Sequence, residues 1–148
     1  MIVLGIDPGL ANTGYGVVRR AGSRMEVLDH GTLRTRPSTP TEERLLALHD
    51  GLAGVIAANE ADVASIEAFF VHPVSKAAMG MAAARGALLV ACAHAGLAVA
   101  EYTPTAIKQA ALHPWHRRRH PGQGIGVNHG PLAEVCMQFH GDDSAQHP

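Results

Sequence analysis

Two carboxylates stand at the ends of short apolar runs. Asp7 closes Ile2-Val3-Leu4-Gly5-Ile6, and Glu67 closes the run from Asp62 through Val63-Ala64-Ser65-Ile66. Short runs of this kind, set between turn-forming residues, read as buried strands. A carboxylate at such a strand end is held where the sheet meets solvent. Burying it unpaired is costly, so it calls for a cation, a partner or a ligand. If the two strands are neighbours, the like charges repel, and a divalent cation between them relieves the repulsion. Hard ions such as Mg2+ or Mn2+ take oxygen ligands, keep several waters and accept phosphate oxygens at their remaining positions. A pair of them about 4 Å apart activates a water and stabilises the leaving oxygen of a phosphodiester. The plainer alternative is that each acid caps its own turn.

The elements that position these acids follow from pattern. After Asp7 comes the loop Pro8-Gly9-Leu10-Ala11-Asn12-Thr13, and Gly9, Gly14 and Gly16 allow unusual backbone geometry or close approach of another chain or a phosphate. Gly14–Arg19 and Met25–Leu33 read as strands joined by a turn at Ala21-Gly22-Ser23, an antiparallel meander. Thr39-Pro40-Thr41-Glu42 has the form of a capping box with Pro at the first helical position. The helix behind it carries Leu45, Leu48, Leu52, Val55 and Ile56 at helical spacing. A second helix is expected over Ser75–Ala95, stopped by Gly96 and lined with the small residues Gly80, Ala84, Ala87 and Ala91. Ala98–Tyr102 reads as a fifth strand, and Thr103-Pro104 opens another helix. The order βββαβαβα gives an α/β fold with a mixed sheet, an antiparallel meander followed by crossover strands and flanked by helices. In such a sheet the ends of the first and fourth strands can be neighbours, and Asp7 and Glu67 would then face one another.

Composition bounds the rest. A chain of 148 residues with 47% hydrophobic content supports one domain with a real core. The net charge of −1 does not by itself point to a polyanion, yet Lys76–Arg119 holds six basic residues against the single acid Glu101. That skew gives one region the positive field that a nucleic-acid surface needs, and a solvated basic face is its alternative. Cys92 and Cys136 form no disulfide framework, which fits a reducing cytoplasm. The N-terminus lacks the features of a signal peptide, and no apolar run reads as long enough to cross a bilayer.

Three segments in register carry a family resemblance. Gly5-Ile6-Asp7-Pro8-Gly9-Leu10-Ala11-Asn12-Thr13-Gly14-Tyr15-Gly16 resembles the start of the RuvC-type Holliday-junction resolvases. So do Ile66-Glu67-Ala68-Phe69-Phe70 with Ala82-Ala83-Ala84-Arg85-Gly86, and Glu101-Tyr102-Thr103-Pro104 with Ile107-Lys108-Gln109. The likeness runs from Met1 to about Ala110, about three quarters of the chain. It implies an RNase H-like nuclease domain over residues 1–110 and a homodimer bound to four-way junction DNA. It also implies Mg2+-dependent nicking of two symmetric strands, and a branch-migration motor complex as partner. Asp7 and Glu67 match the family's first two metal-binding carboxylates. Phe69 or Phe70 matches the aromatic that enters the junction centre, where stacking compensates for unstacked bases. Lys108, in the matching Ile-Lys-Gln motif, and Arg85 are candidate phosphate contacts, and Lys76 joins them on charge. The small-residue helix resembles the family's dimer helix, and a two-fold protein suits a two-fold substrate.

From residue 111 the resemblance stops. The family continues with a Gly-rich turn, a Lys-bearing helix and a last acidic helix, whereas here six of the ten His and four of the nine Pro fall in the last 38 residues. Residues 111–148 read as an atypical, poorly ordered tail in place of those helices. Asp142-Asp143 has no amphipathic helix around it, so the third and fourth ligands are not carried over. The abrupt change points to a shift of reading frame, which predicts that another frame beyond codon 110 encodes the missing helices. Two other readings are a junction-binding dimer of the same fold without catalysis, and an actin-like ATPase. The ATPase requires a second similar hairpin that this chain lacks.

Overall fold

The computed structural model describes residues 1–22, 24–68 and 75–102. Their elements run β1 (Ile2–Asp7), β2 (Asn12–Ala21), β3 (Arg24–Arg34), α1 (Thr41–Asn59), β4 (Val63–Glu67), α2 (Lys76–His94) and β5 (Ala98–Tyr102). The five strands form one sheet in the order β3-β2-β1-β4-β5. β1, β2 and β3 are the antiparallel meander, and β4 and β5 join parallel to β1 and to each other. Parallel neighbours need crossover connections, and α1 and α2 supply them.

β2 and β3 run longer than their apolar patterns, beginning at Asn12 and Arg24. Ladder bonding carries polar residues into a strand once one face is fixed. The capping box is not formed. α1 begins at Thr41 with Pro40 in the cap position, extended at φ −52° and ψ 145°, and no side chain caps it. Thr39 N instead donates to Arg36 O at 3.1 Å, closing a turn ahead of the helix. Glu42 and Glu43 still place negative charge in the first turn, where the helix dipole favours it.

α2 begins as its sequence suggests, with the Ser75 hydroxyl accepting from Ala78 N at 3.1 Å. Gly96, at φ +68°, ends it. Gly96 N donates to Ala93 O at 3.0 Å and Leu97 N to Cys92 O at 2.9 Å, the paired bonds of a Schellman stop. α2 does pass a length-and-composition test for crossing a bilayer, which corrects the expectation of no such run. Here it is a core helix: Ala84, Leu88, Ala91 and Cys92 are buried in the main core cluster.

That core lies on one face of the sheet. Leu4, Ile6, Val17, Ala64 and Ile66 meet Leu48, Leu52 and Ile56 of α1 and the buried residues of α2. Each fully buried Leu or Ile contributes about 1.5–3 kcal/mol. Burial also pushes the Cys92 thiol up to about 11, so it stays protonated and acts as a small apolar residue. The opposite face has its own small cluster, Val3 and Val18 with Met25 and Val63 packed against them.

Candidate active site

Strand register builds the site. β1 and β4 pair as Val3↔Val63, Leu4↔Ala64, Gly5↔Ser65 and Ile6↔Ile66. Asp7 and Glu67 are the next residue on each strand, on neighbours about 4.8 Å apart. Side chains alternate, so the Ile6–Ile66 pair turns toward α1 and α2 and the two acids turn to the opposite face. That face carries three cross-strand rows. Gly14, Asp7, Glu67 and Tyr102 form the first, Gly16, Gly5, Ser65 and Ala100 the second, and Val18, Val3, Val63 and Ala98 the third. The rows grade from apolar through small to acidic toward the carboxyl ends of β1 and β4.

Gly14 is the partner of Asp7 across β1 and β2. A Cβ at Gly14 would stand 3.6 Å from Asp7 Cβ and 3.9 Å from Oδ2, so a longer side chain would occupy the space beside the carboxylate. The loop behind Asp7 is tied down on three sides. The buried Thr13 hydroxyl donates to Gly9 O at 2.8 Å and accepts from Gly9 N at 3.3 Å. Thr35, at the end of β3, donates through its hydroxyl to Leu10 O at 2.5 Å and through its N–H to Ala11 O at 3.0 Å. On the third side, Leu10 rests against Gly80 of α2, where a Cβ would come within 3.1 Å of Leu10 Cδ2. Gly9 is required by close approach, because a Cβ there would lie 2.3 Å from Asn12 O.

Asp7 shows surface to solvent, yet the strand end around it withholds water from part of its carboxyl. That desolvation raises its pKa above the usual 3.8. Two carboxylates on adjacent strand ends are an oxygen donor set suited to a hard divalent cation, which would reverse that penalty. No group of three or more His, Cys, Asp or Glu able to hold a metal occurs among the described residues.

The other candidate residues fall as follows. Lys76 is exposed in the first turn of α2, the end of that helix that carries Gly80 and touches the Asp7 loop. Arg85 is not the open cation that charge alone suggests. Its guanidinium pairs with Glu101 of β5 at 2.5 Å, its side chain is 20% exposed, and its Nε is buried without a partner. Phe69, Phe70 and Lys108 lie outside the described residues, as does the whole of 111–148. Sequence reasoning missed Thr13, whose role depends on a contact four residues back, and Tyr102, which pairs with Glu67.

An antiparallel meander feeding two parallel crossover strands, with acids closing β1 and β4, defines an RNase H-like fold with a paired-carboxylate strand end. The profile of one family, crossover junction endodeoxyribonuclease RuvC, matches residues 3–113. The RuvC protein of Pelobacter propionicus is 46% identical over 112 residues, covering 76% of this chain and 64% of that protein. That of Rhizobium etli is 34% identical over 152 residues, covering 97% of this chain and 82% of the relative. Among solved structures, T. thermophilus RuvC in complex with Holliday junction substrate superposes with a TM-score of 0.70 at 32% identity, covering 75% of this chain and 71% of that one. The chain belongs to the RuvC family.

Proposed function

We propose that this chain is a structure-selective endodeoxyribonuclease. In this reading it resolves four-way (Holliday) DNA junctions by symmetric, metal-dependent phosphodiester hydrolysis in recombination and repair. The observation that carries the reading is the β1–β4 register, which leaves Asp7 and Glu67 side by side on the face opposite α1 and α2. Asp7 and Glu67 hold Mg2+, or Mn2+, through carboxylate oxygens. The bound ion supplies Lewis-acid stabilisation of the charge that develops on the scissile phosphate. Gly14 keeps the space beside Asp7 open, and the Thr13–Gly9 bonds keep the strand end rigid for in-line geometry.

Residues 1–110 are the nuclease domain in this reading, and 111–148 an appended tail. Lys76 and Lys108 contact phosphates, and Phe69 or Phe70 enters the junction. Arg85 contributes only through the guanidinium edge that Glu101 leaves. A homodimer forms through α2, whose outward side exposes Met79 and Val90 around Ala82 and Gly86. A second copy would bury that apolar surface and match the two-fold junction. The protein works in the cytoplasm beside a branch-migration motor.

The test is a synthetic four-way junction incubated with the protein in Mg2+ and in EDTA. Paired symmetric nicks in Mg2+ alone, abolished by Asp7→Asn with binding retained, are expected. Retarded but uncut junction with the unaltered protein would overturn catalysis, and failure to retard it would overturn the junction reading.

A further inference from the structure

The acid-bearing face continues past Gly14 onto the meander. Tyr15, Val17 and Leu33 pack into the core beneath α1 and α2, so alternation turns Asn12 and Gly14 of β2, and Thr32 and Arg34 of β3, to the side of Asp7. Register pairs Asn12 with Arg34 and Gly14 with Thr32. Thr32 therefore extends the row of Gly14, Asp7, Glu67 and Tyr102 by one strand. It stands two strand spacings, about 10 Å, from Asp7, and Arg34 lies two residues, about 7 Å, further toward the carboxyl end of β3. Within 4 Å of the point a Gly14 Cβ would take, the only atoms of the described residues outside its own stretch of chain belong to Asp7. No side chain of β2 stands in that row between Thr32 and Asp7.

Asn12, Thr32 and Arg34 are all exposed. Among the described residues their side chains enter no hydrogen bond or ion pair, whereas Arg19 pairs with Glu26 and Arg85 with Glu101. We propose that, given the nuclease reading above, these three side chains form a phosphate subsite for the DNA strand being cut, separate from the acid pair and reached across Gly14.

Arg34 offers a planar fork of donors to two phosphate oxygens, and the Thr32 hydroxyl and Asn12 amide donate beside it. With the scissile phosphate at Asp7 and Glu67, the DNA backbone crosses the open position at Gly14. At a rise of about 3.4 Å per nucleotide, the phosphate that meets Arg34 lies within about four nucleotides of the cut. The basic excess in the sequence begins only at Lys76, so Arg34 supplies a cation from the meander end of the site. Contacts of this kind fix the register of the strand and carry no base readout, so the subsite serves all junction sequences alike.

Affinity of the full-length protein for a four-way junction, measured in EDTA over a range of NaCl, tests the subsite. Arg34→Gln is expected to weaken binding about tenfold, and to flatten the slope of log affinity against log salt by about 0.9 for each Arg34 engaged. Arg34→Lys keeps the charge and should restore the slope. Arg24→Gln, at the far end of β3, removes an equal charge and should leave the slope unchanged. Junctions with a single neutral methylphosphonate, placed in turn at the phosphates on either side of the cut, locate the contact. One such position should weaken the unaltered protein about tenfold and Arg34→Gln not at all. An unchanged slope in Arg34→Gln, an equal change in Arg24→Gln, or the same methylphosphonate profile in both proteins would each overturn the subsite and leave the nuclease reading standing. An unaltered protein that binds no junction overturns both. Arg34 and Arg24 are exposed, and matching Tm values verify that the variants fold.

Discussion

On the side facing α1 and α2, Leu4, Ile6, Val17, Ala64 and Ile66 interlock with two helices and admit no water. On the other side the same strands present Val3 and Val63, then Gly5 and Ser65, then Asp7 and Glu67. The two sides differ by single-residue steps along β1 and β4. One is packed for stability; the other holds the small Val3–Val18 cluster at one end and, under the proposed function, the chemistry of Asp7 and Glu67 at the other. Damage to one side should therefore leave the other largely intact.

The largest separation is expected from Glu67→Gln, which keeps shape and removes a charge. Junction cleavage should fall about 10³-fold, the kinetic equivalent of about 4 kcal/mol, with the urea midpoint almost unchanged. A comparable loss of stability would show that Glu67 holds the fold rather than an ion. Leu52→Ala strikes the helical side and should cost about 2–5 kcal/mol in urea unfolding. The folded fraction should cleave at the unaltered rate, and a specific rate lowered in proportion would dissolve the division between the faces.

Thr13→Val lies on the boundary. It keeps the volume and removes both bonds to Gly9, so stability should fall by about 1–3 kcal/mol, and cleavage should fall with it because the Asp7 loop loosens. The smallest effect concerns Asp7 and pH. Its pKa is raised by desolvation, so the fold binds its proton more tightly than the unfolded chain does. The native state then loses stability as pH rises from 3.8 through the raised value. Without metal, Asp7→Asn should gain on the unaltered protein between pH 3 and pH 7. A gap that shrinks over that interval would contradict the raised pKa.

Much of this division was legible in the sequence. The strand-ending acids, the meander, the α1 stripe and the Gly96 stop follow from local periodicity and turn chemistry, which act over a few residues. What escaped depends on contacts between distant segments. Arg85 reads as a free cation until β5 brings Glu101 against it. His49 and His94 read as unrelated until the helices cross. The capping box fails because Pro40 holds an extended backbone and Thr39 joins an earlier turn.

The matched register of β1 and β4 also governs which genetic changes this site tolerates. Substituting Val63 or Ala64 alters packing at one point. Deleting either residue shifts the rest of β4 by one step, turning Glu67 into the core beside Ile6 and Ile66 out beside Gly5. Homologous chains should therefore hold the lengths of these two strands fixed, with insertions and deletions confined to the loops on either side.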